Sequence, residues 1–177
     1  MKPRIVGLLT LFSLILLSGC ATSSLYTSPK PTTVADTGWA VPALVNNTAT
    51  PYAGARAQQM LAALLVSHGV HQVRLPPPAS DNAALPLHNG EAEQAAALAW
   101  ARTQHLRYAL LGSVDEWRYK VGLDGQPAVG FTLRLVDLEN GHTLWSGTAA
   151  ATGGSREGIA VLAQKTLNRL IDRLRPR

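Results

Sequence analysis

The sequence has 177 residues, a formal net charge of +5 at pH 7 and a single cysteine. Two of its 16 basic residues, Lys2 and Arg4, belong to a predicted signal peptide, so 14 remain against 11 acidic residues and the mature charge falls to +3. That excess is small, and the basic residues are not interleaved with aromatic ones, which argues against nucleic acid as a partner. One cysteine also excludes a disulfide bond within the chain.

Residues 1–19 are predicted to be a cleaved signal peptide. The basic start is followed by a mostly apolar stretch of about 13 residues, well short of the roughly 20 that a membrane-spanning helix needs. Leu17-Ser18-Gly19-Cys20 then resembles the lipobox of bacterial lipoproteins. Cys20 is therefore the predicted lipidation site, and its acyl chains would anchor the protein to membrane lipid. Ala21 in place of an aspartate favours the outer membrane, with the protein facing the periplasm.

The segment after the predicted cleavage site is rich in Ser, Thr and Pro and has little apolar content. This composition predicts a flexible tether over residues 20–37, beginning at the lipidated cysteine. Residues 38–177 are the right length for one folded domain.

The first half of the domain alternates strands and helices. Residues 39–45 (WAVPALV) predict a strand, and Pro42 favours an edge position or a bulge within it. Apolar residues at helical spacing predict a helix over about 52–68, and a short strand follows at 70–75. A proline-rich loop over 76–90 leads to an alanine-rich helix over 91–105.

The second half predicts three consecutive strands and a final helix. The strand over 108–121 is apolar on both faces at first and then becomes amphipathic, as if it extends beyond the core. Strands over 131–138 and 142–151 flank Asn140-Gly141, a typical hairpin turn, and a helix follows over 157–174. The element order β-α-β-α-β-β-β-α indicates an α/β fold with a mixed β-sheet and helices packed on it.

No pattern in the sequence indicates an enzyme, a cofactor or a metal site. The five histidines are scattered. His68 and His71 are three residues apart, but Gly69 interrupts the helix that would align them, and no Cys, Asp or Glu is close enough to complete a ligand set. The sequence also lacks a Gly-x-Ser-x-Gly nucleophile motif.

Two features leave a structural and a functional interpretation open. Asp115 and Glu116 are adjacent in a strand, so their side chains should point to opposite faces. They either pair with neighbouring cations, or one of them lines a surface made by several subunits. Trp145 follows the hairpin turn and is either a core residue or an indole displayed at a membrane surface, where its N–H stays hydrated.

A longer pattern covers nearly the whole mature domain. Its most specific part is 115–120 (DEWRYK) followed by 122–130 (GLDGQPAVG). Further matches are 39–42 (WAVP), 46–48 (NNT), Pro51, 98–102 (LAWAR), 136–138 (VDL), Gly141 and 144–146 (LWS). Together these motifs resemble the PelC family, the outer-membrane lipoproteins of Pel exopolysaccharide export systems.

This resemblance implies a non-enzymatic function. It implies an α/β fold related to the periplasmic domain of curli secretion channel proteins, and a dodecameric ring beneath the outer membrane. It further implies that the ring acts with the β-barrel protein PelB, and that its acidic lumen guides a cationic polysaccharide to the export pore for the biofilm matrix. By the same resemblance, Asp115 is the substrate-guiding lumen residue and Trp145 is the membrane-facing one.

A second hypothesis comes from a different class of protein. Similar α/β lipoproteins face the periplasm and scaffold or activate a cell-envelope enzyme. The two hypotheses predict different particle sizes, because only the ring requires a stable oligomer.

Overall fold

The computed structural model describes residues 22–33, 37–77, 90–122 and 125–174 of the chain. The predicted signal peptide over 1–19 and the predicted lipidation site Cys20 lie outside the described residues. Residues 78–89, which make up most of the predicted proline-rich loop, also lie outside them. Within the described ranges, no helix has the length and apolar character needed to cross a membrane.

The described part of the chain forms a seven-stranded mixed sheet with three helices. The strands are β1 (Thr22–Thr27), β2 (Trp39–Ala40), β3 (Val45–Asn46), β4 (Val73–Arg74), β5 (Tyr108–Tyr119), β6 (Pro127–Asp137) and β7 (Thr143–Thr152). The helices are α1 (Ala53–Ser67), α2 (Gly90–Thr103) and α3 (Ile159–Leu174). Across the sheet the order is β1-β7-β6-β5-β2-β4, and β3 also pairs with β5.

The sheet has an antiparallel half and a parallel half. β5, β6 and β7 form an antiparallel meander, and β1 extends it by pairing antiparallel with β7. β2 and β3 run parallel to β5, and β4 runs parallel to β2. Parallel strands need a crossover connection, and α1 and α2 supply the connections on either side of β4. The predicted mixed α/β fold is confirmed.

The helices cover the two faces of the sheet unequally. α1 and α3 pack on one face over the main core, which contains Trp39, Phe131 and Trp145. On the other face α2 packs near the start of β5, where a smaller cluster contains Ala101 and Leu111. Farther along that second face, side chains such as those of Thr132 and Thr148 are exposed. We call this uncovered area the open face.

The predicted strand over 39–45 is divided into β2 and β3. Between them the backbone leaves the ladder at Val41, whose carbonyl oxygen accepts a hydrogen bond from Gln58 Nε2 of α1 at 2.8 Å. The Leu44 N–H donates to the Gly54 carbonyl oxygen at 3.4 Å. Pro42 lacks an N–H and cannot continue the ladder. The start of α1 therefore takes over backbone groups that a continuous strand would have paired.

The predicted tether contains a strand. Thr22 to Thr27 pair with β7 over six consecutive residues, from Thr22 opposite Thr152 to Thr27 opposite Gly147. Composition alone did not reveal this strand, because its residues are mostly Ser and Thr and apolar side chains do not alternate with polar ones along it. Its stabilisation comes from backbone pairing along the free edge of β7, with Leu25 packed against the main core. The predicted element order is otherwise the observed one.

Candidate functional site

The candidate site forms where the pairing of β5 with β6 slips by one residue. The register shifts between Val114 and Glu116, which leaves Asp115 as the extra residue of a β-bulge. Val114 and Trp117 both lie in the main core, so Asp115 and Glu116 share the open face. A Cβ placed on Gly130 would lie 3.4 Å from the Glu116 Cβ and 3.8 Å from the Asp115 Cβ. The prediction that the two carboxylates point to opposite faces is wrong, because the bulge interrupts the alternation.

Three side chains donate hydrogen bonds to Asp115. Ser113 Oγ and Asn47 Nδ2 donate to Oδ1, at 2.7 and 3.2 Å, and Thr132 Oγ1 donates to Oδ2 at 2.7 Å. Ser113 lies on β5, Thr132 lies on β6, and Asn47 directly follows β3. Donors on two strands and at the end of a third therefore fix the orientation of a carboxylate that is exposed to solvent.

The two carboxylates differ in how their charge is compensated. Arg118 Nε donates to Glu116 Oε1 at 2.8 Å, so the charge of Glu116 is paired within its own strand. Asp115 forms no ion pair with a described residue, and its hydrogen-bond donors are all neutral. Arg134 also lies on the open face, but it is two residues along β6 from Thr132, or roughly 7 Å away, and it does not form an ion pair with Asp115. Of these two carboxylates, Asp115 is therefore the one whose charge remains available to a ligand.

A row of hydroxyl groups crosses the open face beside Asp115. Ser113 pairs with Thr132, Thr132 with Thr148 of β7, and Thr148 with Tyr26 of β1. Directly paired residues lie on the same face of a sheet, so these four hydroxyl side chains are neighbours. The Oγ1 atoms of Thr132 and Thr148 are 3.3 Å apart. We call these four residues the hydroxyl row.

A shallow cleft of about 530 Å³ lies next to the bulge. It is bounded by loop 47–50, by the bulge of β5 and by neighbouring residues of β6 and β7, among them Gly130 and Thr148. Gly130 adds no side chain, so the surface opposite Glu116 stays open. The carboxylate can attract a cation, and the hydroxyl groups can donate and accept hydrogen bonds. This combination suits a cationic, hydroxylated ligand.

His68, one of the two histidines considered as metal ligands, lies 3.7 Å from Asp172 Oδ1, but no further ligand joins this pair among the described residues. His68 Nε2 lies 3.0 Å from Asn168 Oδ1, which links the end of α1 to α3, and His71 is exposed on the following segment. Among the residues that the structure describes, no three His, Cys, Asp or Glu side chains are grouped as a metal site.

Trp145 lies in the main core and not on the surface. Its side chain is 1% exposed. A Cβ placed on Gly147 would lie 2.8 Å from Cη2 and Cζ2 of the indole and 3.0 Å from Cδ2 of Leu170, so the ring lies over Gly147 beside α3. The indole Nε1 is buried and has no hydrogen-bond partner among the described residues. These facts contradict a membrane-facing indole and support the core interpretation.

The hydroxyl row was not foreseen from the sequence, because its members are distant along the chain. They become neighbours only through the register of four strands. One signal was present: Ser146, Thr148, Ala150 and Thr152 alternate with core residues on β7. That pattern indicates a strand with one polar face of small side chains.

The fold and the site together define a small mixed-sheet α/β subunit whose characteristic polar groups lie on an open sheet face. A solved structure with this architecture is the PelC dodecamer of Paraburkholderia phytofirmans. It matches with a TM-score of 0.75 and 35% sequence identity, covering 88% of this chain and 99% of that chain. The chain belongs to the PelC family.

A second PelC structure gives the same match, and a more distant lipoprotein shares the fold alone. A single-substitution variant of the same Paraburkholderia dodecamer matches with a TM-score of 0.75 at 36% identity, covering 88% of this chain and 100% of that chain. A lipoprotein from Neisseria meningitidis, with a TM-score of 0.53 and 21% identity, shares the fold over 78% of this chain and 96% of its own. No protein-family model and no curated protein matches the chain.

Proposed function

We propose that this protein is a lipid-anchored subunit of a ring on the periplasmic side of the outer membrane, where it guides a cationic exopolysaccharide to an export pore. The observation that carries the proposal is the 35% identity, over 88% of the chain, to a PelC that forms a dodecamer. The ring is non-enzymatic, and an outer-membrane β-barrel of the PelB kind is its partner. Cys20 holds the membrane lipid.

The charge distribution of the open face supports the role given to Asp115. A net positive subunit can still build a negative lumen if each copy turns one unpaired carboxylate inward. Repeated around a ring, identical carboxylates reinforce one another's potential, and low-dielectric walls concentrate the field. Because Glu116 is paired with Arg118, Asp115 is the carboxylate whose charge repeats. The hydroxyl row beside it offers hydrogen bonds to sugar hydroxyl groups.

Neutralising Asp115 tests this role. Asp115→Asn should lower polymer export severalfold, and Asp115→Lys should lower it further, because a cationic polymer loses its attraction and then meets repulsion. The amide side chain of Asn keeps an acceptor for Ser113 and Asn47, so the fold should be retained. Export is measured as secreted polymer per cell, with ring assembly checked on the same variants.

Glu116→Gln is the matched control, because it removes a neighbouring carboxylate that is already paired with Arg118. It should reduce export less than Asp115→Asn. Normal export by Asp115→Lys, with the ring assembled, would contradict the role of Asp115 in guiding the polymer.

The ring itself predicts a large particle. In detergent, the mature lipoprotein should remain a high-mass oligomer when diluted through micromolar concentrations, since a ring closes all of its heterologous contacts. Native mass spectrometry or light scattering gives the mass. A stable monomer over this range would argue against the ring and for the interaction lipoprotein that scaffolds a cell-envelope enzyme.

A further inference from the structure

The folded domain begins very close to the predicted anchor. β1 starts at Thr22, only two residues after Cys20, and two residues span at most about 7 Å. Thr22 pairs with Thr152, which pairs with Ala128, which in turn pairs with Arg118. The lipid therefore enters the membrane beside the end of the sheet where β5 leads into β6. We call this the hairpin end.

Exposed apolar side chains are concentrated at the hairpin end. Tyr119 and Val121, at the end of β5, are 52% and 103% exposed. Val161 is exposed in the first turn of α3, which is held here because the Ile159 N–H donates to the Tyr119 hydroxyl at 3.2 Å. Tyr52, 72% exposed, lies two residues after Thr50, whose Oγ1 donates to the Trp117 carbonyl oxygen near the end of β5 at 2.6 Å. Of the six large exposed apolar residues in the described ranges, these four lie at the end where the chain emerges from its anchor.

The hairpin end also carries cations. Lys120 and Arg156 are exposed there, beside Arg118, whose guanidinium pairs with Glu116. Lys120 Nζ donates to Thr152 Oγ1 at 2.9 Å. Because Thr152 pairs with Thr22, this hydrogen bond holds Lys120 close to the start of β1. Tyrosine, valine and basic side chains placed together suit the headgroup region of a bilayer, where rings and aliphatic groups enter and cations meet anionic lipid.

We propose that the hairpin end rests on the membrane that holds the acyl chains, with Tyr52, Tyr119, Val121 and Val161 in contact with lipid. This orientation rests on the proposed lipidation of Cys20. It places Trp145 seven residues along β7 from Thr152, or roughly 23 Å away from the anchored end. It places Asp115 four residues along β5 from Tyr119, roughly 13 Å below the lipid surface. The guiding carboxylates then lie close beneath the bilayer.

Site-specific fluorescence tests the orientation. Cys20 is the single cysteine of the sequence, and its thiol is blocked once it is acylated. A cysteine introduced by Val121→Cys is therefore the one thiol that can be labelled with the environment-sensitive fluorophore NBD. Val66→Cys is the matched control, because Val66 is 53% exposed in the last turn of α1, at the opposite end of the domain. Both proteins are inserted into vesicles of phosphatidylethanolamine and phosphatidylglycerol. The label at 121 should brighten severalfold, resist aqueous iodide and be quenched by doxyl-labelled lipid, whereas the label at 66 should behave oppositely.

The possible failures are distinguishable. Equal iodide quenching at both positions would overturn the orientation and leave the anchor intact. Protection of the label at 121 without quenching by doxyl lipid would show that a neighbouring subunit covers this end, which also overturns it. Detergent-phase partitioning tests the anchor separately: wild type should enter the detergent phase and Cys20→Ser should not. If wild type stays in the aqueous phase, the anchor and the orientation are both refuted.

Discussion

Replacing Trp145 with alanine should lower the free energy of unfolding by about 3–5 kcal/mol. The indole is 1% exposed and lies over Gly147 beside Leu170 of α3, so its removal leaves a cavity between the sheet and the helix. The residues around this cavity are held by the strand and the helix, so they cannot move far enough to fill it. For a domain of this size, the melting temperature should fall by on the order of 10 °C.

Trp145→Phe is the matched control for this prediction. Phenylalanine keeps much of the ring volume and removes a buried N–H that has no partner among the described residues, so it should cost clearly less than alanine. Guanidinium unfolding of both variants in a Cys20→Ser background removes the effect of lipid anchoring, and equal protein concentration makes the effect of ring assembly comparable between them. Unchanged stability in Trp145→Ala, with weaker vesicle association, would restore the membrane-facing hypothesis.

The long strands could be predicted from the sequence because their alternation is extensive. β5, β6 and β7 each run for ten residues or more with apolar side chains facing the core, and Gly141 takes a φ of 75° in the turn where a glycine was expected. α1 and α3 were predicted from helical spacing for the same reason. β1 was missed because its Ser and Thr side chains bury little apolar surface, and amino-acid composition does not show backbone pairing.

The sequence pointed to one residue of the candidate site, Asp115, but not to the arrangement of the side chains around it. Asp115 was singled out, but the side on which Glu116 lies depends on a bulge, and strict alternation gives the wrong face. The donors Asn47 and Thr132 come from other strands, so only the sheet register brings them to Asp115. Trp145 could be given either role from its position after a turn, and the packing of α3 decides between them.

Gly54→Ala should destabilise the fold by about 1–2 kcal/mol, although alanine is the better helix former. Helix propensity alone predicts a gain of about 1 kcal/mol in the first turn of α1. A Cβ at this position, however, would lie only 1.9 Å from the Leu44 carbonyl oxygen, and overpacking of that kind typically costs 1–3 kcal/mol or more. The sign of the change in unfolding free energy therefore distinguishes the two effects. Gly154→Ala is the control, with no atom within 4 Å of its added Cβ, and should shift stability by less than about 0.5 kcal/mol.

The steric effect of Gly54→Ala should also reach the candidate site. To relieve the overlap, α1 must move away from the segment joining β2 to β3, which weakens the Gln58 to Val41 hydrogen bond of 2.8 Å. That segment leads into β3, and Asn47, the residue directly after β3, donates to Asp115 at 3.2 Å. The backbone N–H of Asn47 donates to the Val114 carbonyl oxygen beside the bulge. Its hydrogen exchange should therefore accelerate more in Gly54→Ala than the exchange of backbone amides in β7. Uniformly faster exchange would instead mean that the bulge is insensitive to the start of α1, and that only global stability had changed.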